Sequence, residues 1–263
     1  MAHDRTNWQV PAHRVERWEG RRHDYCVVVP VINEGERIAS LLHRMAALGV
    51  PDTADVIIAD GGSTDGSLSP ALLDETMVSG MLRKTGPGRL SAQLRCAYAF
   101  ALDEGYDGIV TIDGNDKDDP SPIAAFVAAM REGVHFVQAS RFVPGGTSVN
   151  TPRLRHLAIR SIHAPVLSLA SRHRWTDTTQ GFRGYRSEVL RDPRVAPFRD
   201  VFQSYELLAY LSYRVPRLGY RCVELPTSRV YPQGEVPTKI SGLSGNVDLL
   251  RTLARACTGR YNP

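Results

Sequence analysis

Ile109-Val110-Thr111-Ile112-Asp113-Gly114-Asn115-Asp116-Lys117-Asp118-Asp119-Pro120 is a short apolar, β-branched run that empties into a loop. The loop carries four carboxylates and one amide within seven residues. The apolar run reads as a buried strand. Carboxylates packed this closely repel one another, so the loop is costly unless positive charge sits among them. A divalent cation with hard oxygen ligands, its shell completed by phosphates, is the simplest such charge. Open α/β sheets place their ligands at the C-terminal ends of strands, where this loop would lie. A solvated acidic turn is the competing reading of the loop taken alone.

Working outward, the chain alternates. A strand over 25–31 precedes a helix over 34–48, spaced through Ile38, Leu41, Leu42 and Met45 and stopped by Gly49. A second strand, 55–59, runs into Asp60-Gly61-Gly62-Ser63-Thr64-Asp65-Gly66, and a polar helix or loop leads to a third at 81–83. Gly86-Pro87-Gly88 opens a helix over 90–102; a strand over 108–112, a helix over 122–131 and a strand over 135–139 follow. This rhythm predicts an α/β fold: a doubly wound, mostly parallel sheet flanked by helices. After Arg141 come loop signals, then helices over 153–171, 202–213 and 247–256 and strands over 181–185 and 221–226. No repeat or long linker interrupts the pattern. Residues 25–263 therefore read as one domain in two halves, 25–141 and 142–263, and 1–24 as a basic N-terminal extension along the surface. Contact of that arm with anionic lipid is the lesser alternative to a solvated arm.

The bulk numbers exclude several classes. The 42% hydrophobic content is ordinary for a globular core. No apolar run approaches the ~20 residues of a membrane span, and the polar start has no signal-peptide core. The expected location is cytoplasmic, or peripheral to the inner face of the membrane. Cys26, Cys96, Cys222 and Cys257 form no CxxC pair, which argues against a zinc knuckle or redox motif. Net charge +4 favours anionic ligands weakly and gives no reason to expect nucleic acid. Lysines number only Lys84, Lys117 and Lys239 among 32 basic residues, a bias that genome base composition explains.

Three strand ends share one character: Pro30-Val31-Ile32-Asn33-Glu34, Asp60 to Gly66, and Asp113-Gly114-Asn115. Parallel strands put such ends on one sheet edge, so their polar groups converge. With these motifs, and with Ala139-Ser140-Arg141-Phe142-Val143-Pro144-Gly145-Gly146 and Asp177-Thr178-Thr179-Gln180-Gly181-Phe182-Arg183-Gly184-Tyr185, the chain resembles the family 2 glycosyltransferases of GT-A fold. Within them it is most similar to the dolichyl-phosphate mannose synthase and polyprenyl-phosphate glycosyltransferase branch. The resemblance runs from about Tyr25 to Lys239.

That resemblance implies a nucleotide-diphospho-sugar donor, a UDP- or GDP-sugar, and metal-assisted, inverting transfer. The implied acceptor is a polyprenyl phosphate or a cell-envelope or polysaccharide precursor. Pro30, Asn33 and Glu34 would lie against the nucleotide, and Asp60 would read the nucleobase edge. Asp113 and Asn115, with Gly114 between them, fall on the ends of the family's Asp-x-Asp, which holds Mg²⁺ or Mn²⁺ against the diphosphate. Arg141, Arg229 and Lys239 fall where the branch keeps cations for the donor diphosphate or acceptor phosphate. Asp177 is the first candidate base for an alcohol acceptor and Glu206 the second; a phosphate acceptor needs none.

This chain also departs from the pattern. Asn115 brings an oxygen but no charge, and Lys117 stands where the branch can place a further oxygen ligand. Either Asp116 or Asp118 completes the metal shell, or Lys117 contacts a phosphate and the metal is held weakly. Gly88 and Arg89 open a helix whose N–H groups could receive a phosphate; a plain tight turn is the alternative. Residues 232–239 read as a loop able to close over the donor, or as an ordinary surface loop. A nucleotidylyltransferase or nicotinamide dehydrogenase would need a Gly-rich loop after the first strand, where Asn33-Glu34-Gly35-Glu36 stands instead. A nucleotide-sugar-binding protein with weak or lost catalysis is the rival from another class.

Overall fold

Seven consecutive buried residues make Tyr25–Val31 the middle of the sheet. In the computed structural model, which describes residues 5–232 and 242–263 and only the backbone of 242–247, the elements follow in order. They are β1 (His13–Trp18), β2 (Tyr25–Val31), α1 (Glu36–Ala47), β3 (Asp55–Asp60), α2 (Pro70–Glu75), β4 (Gly80–Lys84) and α3 (Leu90–Asp103). Next come β5 (Gly108–Thr111), α4 (Ile123–Arg131), β6 (Phe136–Ser140), β7 (Thr147–Val149), α5 (Arg153–Ala158), a π turn (Ile159–His163) and α6 (Ala164–Ser171). The chain continues through β8 (Arg183–Arg186), α7 (Ser187–Arg191), α8 (Glu206–Arg217), β9 (Cys222–Pro226), β10 (Ser228–Val230) and α9 (Gly242–Cys257).

The main sheet has the order β1-β4-β3-β2-β5-β8-β6-β9 among the described residues. β4, β3, β2 and β5 run parallel, as do β6 and β9; β1 and β8 are antiparallel to their neighbours. Strand periodicity sorts the core into two layers. Cys26, Val28, Ile57 and Ala59 face α3 and α8, whereas Val27, Val29, Val31, Val56 and Ile58 face α1 and α4. With both faces covered, the central strands read as unbroken apolar runs rather than as alternation. No described helix is long and apolar enough to cross a membrane.

The structure corrects the expectation for the N-terminal extension. Residues 13–18 are not a loose arm but the edge strand β1, paired antiparallel with β4. Trp18 meets Phe100 edge-on at 5.0 Å, and Trp8 stacks on Phe198 at 4.0 Å. An edge strand is buried on one side at most, and Val15 remains exposed, so its apolar pattern was too weak to read. The helix expected over 202–213 begins instead at Glu206, whose carboxylate accepts the Gln203 and Ser204 N–H groups (3.0 and 2.6 Å) and sets the helix start. The helix expected over 153–171 is continuous but contains the π turn. The two-stranded pair β7–β10 was not anticipated.

Asp55 ties the extension to the sheet. Its fully buried carboxylate accepts the N–H groups of Arg22 (2.8 Å) and His23 (3.1 Å) and the Tyr106 hydroxyl (2.7 Å). Burial alone raises its pKa, but these donors outweigh burial and hold it below the ordinary carboxylate value. Asp55→Ala strands all three donors and should lower stability by about 3 kcal/mol, read as a fall in the unfolding midpoint. Because the folded pKa is depressed, the contribution of Asp55 is complete above roughly pH 5 and fades as pH falls through the folded pKa. Asp55→Asn should flatten the acid limb of a stability-versus-pH curve.

Candidate active site

The ends of β2, β3 and β5 are stitched together by backbone. Gly61 N–H donates to Val31 O (2.8 Å) and Gly114 N–H to Pro30 O (3.2 Å). A methyl group at Gly114 would lie 2.9 Å from Val31 Cγ2 and 3.0 Å from Pro30 O, so only glycine lets the acidic loop close on β2. Asn33, at φ 49°, accepts the Thr64 N–H on Oδ1 (2.8 Å), and its own N–H donates to Ser63 Oγ (3.1 Å). Gln93 of α3, which the sequence reading did not single out, donates from Nε2 to both Val31 O and Ala59 O at 2.9 Å.

Two expected nucleotide contacts have other work. Glu34 is buried and paired with Arg37 (2.7 Å). Asp60 is fully buried; Oδ1 accepts the N–H groups of Gly62 (3.1 Å) and Ser63 (2.8 Å), and Oδ2 lies 3.0 Å from Arg83 Nε. Asp60 Oδ1 shapes the loop after β3, while Oδ2 has no hydrogen-bond partner among the described residues. Arg83 also reaches Glu16 of β1 (3.0 Å), which joins the N-terminal strand to this loop.

The acidic loop meets counter-charge from two other elements of the chain. Arg44 of α1 pairs with Asp116 (2.8 Å) and Asp119 (3.1 Å), and Ser40 donates to Asp116 (2.5 Å). Arg229 of β10 pairs with fully buried Asp118 and stands 3.7 Å from Asp113. Burial opposes the charge on Arg229, yet Asp118 and Asp113 raise its pKa and keep it cationic. Backbone pairing delivers Arg229: Val230 N–H donates to Lys117 O (2.8 Å) and Asp119 N–H to Ser228 O (3.0 Å).

Asp113 is thereby left with its carboxylate 22% exposed. It rests against Gly181, where a methyl carbon would fall 2.2 Å from Oδ1. Asn115 Oδ1 accepts the Lys117 N–H at 3.2 Å and keeps a second lone pair. The expectation of Asp116 as a metal ligand is corrected, because Asp116 turns to Arg44 and Ser40; Asp118 Oδ2 pairs with Arg229, and its Oδ1 has no hydrogen-bond partner among the described residues. Among the described residues no three His, Cys, Asp or Glu side chains gather around one point. A cation here would be held by Asp113 and Asn115 Oδ1, with water and bound phosphates completing its shell.

Cations crowd the other side of Asp113. Lys117 Nζ lies 5.3 Å, Arg229 5.5 Å and Arg155 5.9 Å from the centre of the Tyr231 ring. Arg155 Nη1 also donates to Tyr231 Oη (3.4 Å). Lys117 is buried, and desolvation followed by Arg229 and Arg155 lowers its pKa. Burial raises the Tyr231 pKa, but Arg229, Arg155 and Arg141 more than reverse that, so the phenol sits in a positive field. Arg141 is buried beside them, and its Nη1 has no hydrogen-bond partner among the described residues. A buried donor without a partner is a ligand-binding signal.

The structure corrects Asp177 as a base. It is fully buried and ion-paired with Arg141 (Nε–Oδ2 2.6 Å, Nη2–Oδ1 3.0 Å); Gln180 (2.7 Å) and the Thr179 hydroxyl (3.1 Å) also donate to it. Desolvation raises its pKa, but the Arg141 hydrogen bonds prevail and lower it. A depressed, saturated carboxylate is a poor proton acceptor; Asp177 instead holds Arg141 in place. Glu224, also missed in sequence, accepts the N–H groups of Thr176 (2.9 Å) and Asp177 (2.8 Å) and anchors this segment. Glu206, the second base candidate, accepts the Gln203 and Ser204 N–H groups on Oε2 at the start of α8. The phosphate cradle at Gly88 and Arg89 is corrected as well: the Arg89 and Ser91 N–H groups donate to Gln203 O (2.7 Å) and Ser204 O (2.8 Å). The Arg89 side chain is exposed. Lys239 and most of the 232–239 loop lie outside the described residues.

Residues 26–192 match the sequence family Glycosyl transferase family 2. An undecaprenyl-phosphate mannosyltransferase of Micrococcus luteus is 30% identical over 223 residues, covering 82% of this chain and 86% of its own. A polyprenol monophosphomannose synthase of Mycolicibacterium smegmatis is 27% identical over 207 residues, 76% of this chain and 75% of its own. Glucosyl-3-phosphoglycerate synthase from Mycobacterium tuberculosis, crystallised with Mn²⁺, UDP and phosphoglyceric acid, superposes with a TM-score of 0.59 at 17% identity, over 89% of this chain and 78% of that one. The GT-A fold expected from the sequence is the fold of these neighbours.

Gly181→Ala should displace the Asp113 carboxylate while leaving the core intact. The expected result is a nucleoside-diphosphate affinity weakened roughly tenfold or more, by calorimetry, with the unfolding midpoint little changed.

Proposed function

This chain belongs to glycosyl transferase family 2, and from that premise we propose that it transfers a sugar from a UDP- or GDP-sugar to a polyprenyl phosphate. It is a glycosyltransferase; the donor base, the acceptor and the residue roles are our reading. One observation carries that reading: Lys117, Arg141, Arg155 and Arg229 surround Tyr231 beside the exposed carboxylate of Asp113. Two phosphate-bearing substrates need such a surplus of cations, one at the donor diphosphate and one at the acceptor head.

In this reading the acceptor phosphate oxygen forms a bond to the anomeric carbon as the bond from that carbon to the diphosphate oxygen breaks. Inversion follows from displacement at the opposite face. The acceptor is already an anion, so no proton need be removed. The commitment of Asp177 to Arg141 favours that acceptor over an alcohol. Arg229, Arg141 and Lys117 stabilise charge gathering on the leaving diphosphate. Mg²⁺ or Mn²⁺ at Asp113 and Asn115 would supply further neutralisation of the diphosphate. With one charged protein ligand, its affinity depends on the phosphates of the bound donor.

Asp113→Ala should reduce nucleotide-sugar turnover by about 10²-fold or more; a near-normal rate in the presence of Mn²⁺ would overturn the assignment. Lys117→Gln exchanges a cation for a neutral oxygen ligand. Calorimetry should show UDP or GDP bound several-fold more weakly without metal, and the Mn²⁺ concentration for half-maximal turnover should fall.

A further inference from the structure

The helix unit α5–π turn–α6 carries large apolar residues on its outer face as well as its inner one, whereas a solvated helix normally turns only polar residues outward. Its inner face buries Ile159, Ala164 and Leu167 and is further pinned by Arg155 on Tyr231 Oη (3.4 Å), His163 Nδ1 at 2.7 Å from Thr178 Oγ1, and His156 stacked on Phe142 at 5.1 Å. Its outer face carries Leu154 (77% exposed), Leu157 (61%), Ile162 (46%), Val166 (39%) and Leu169 (85%). These follow one another at steps of three, five, four and three residues. The step of five crosses the π turn, whose wider repeat keeps the stripe in line. Isolated exposed leucines are ordinary; five large apolar residues in one stripe are not.

Charge selects the occupant. From Phe142 to Thr176 there is no Asp or Glu, while Arg153, Arg160, Arg172 and Arg174 are exposed along or just beyond the unit. A second copy docked face to face would bring like charges together. An anionic bilayer offers apolar depth to the leucines and negative headgroups to the arginines.

We propose that the outward face of residues 153–171 docks in the headgroup region of an anionic lipid bilayer. The unit, roughly 28 Å long at helical rise, lies in the membrane plane without crossing it. The proposal stands on exposure and charge and does not depend on the acceptor reading. It agrees with a lipid-borne acceptor because the opposite face of α5 delivers Arg155 to the cation cluster. The lipid contact weighed for residues 1–24 thus moves to a different surface.

The test is co-sedimentation of the full chain with vesicles of phosphatidylcholine alone and of phosphatidylcholine with phosphatidylglycerol. Wild type should partition at least roughly tenfold more strongly onto the anionic vesicles. Leu154→Glu/Leu169→Glu should lose at least roughly tenfold of that partition while keeping the unfolding midpoint and the rate of donor hydrolysis in solution. Arg153→Glu/Arg160→Glu should lose the preference for anionic vesicles. Equal partition of wild type and the leucine variant, or no partition by wild type, overturns the proposal. So does self-association through this face in place of vesicle binding. Vesicle binding that persists in a protein without donor turnover supports the docking surface and counts only against the glycosyl-transfer reading.

Discussion

Repulsion among the four aspartates after β5 is the constraint around which the crevice is organised. Two arginines relieve it. Arg44 reaches across from α1 to Asp116 and Asp119, and Arg229 arrives on β10 to pair with Asp118. Removing one partner of a buried pair such as Arg229–Asp118 typically costs about 3–5 kcal/mol, because the other charge is left buried and uncompensated. The loop therefore holds its shape from within the chain. One carboxylate, Asp113, is left facing the crevice, seated against the bare backbone of Gly181.

The same arginine couples the two halves of the molecule. β10 hydrogen-bonds to the acidic loop on one side and pairs with β7 on the other. Tyr231 follows directly, and Lys117, Arg155 and Arg229 gather around its ring. Arg155 belongs to α5, so the helix unit whose outer face is apolar is rooted in the cluster that would meet phosphate. A surface and a site separated in sequence are one mechanical piece. Arg141 completes the arrangement: Asp177, Thr179 and the backbone held by Glu224 orient its guanidinium and leave Nη1 without a hydrogen-bond partner among the described residues.

Much of the architecture was legible because long-range packing and local pattern agree there. The apolar runs of β2, β3 and β5, the amphipathic spacing of α1 and the Gly-bounded loops after each strand all announce themselves. The strands that escaped are those without such a signature. β1 is charged and one-sided at the sheet edge, and β7 and β10 have three residues each. The start of α8 was missed because a side chain, Glu206, sets it rather than an apolar repeat.

The site divides along the same line. Residue types and their order on strand ends were enough to identify the fold family and to place Asp113 at the sheet edge where three strand ends converge. They could not say which acids are spent. Asp116 and Asp177 look like reactive carboxylates in one dimension; in three, each is held by an arginine. Sequence carries the number of charges and their spacing, whereas pairing depends on which distant cation the fold brings within about 3 Å. The order of residues in this chain thus determined that an acidic loop would end a buried strand, and only tertiary structure decided that Arg44 and Arg229, from elements on either side of it, would make close ion pairs with Asp116, Asp118 and Asp119 and leave Asp113 the least tightly held.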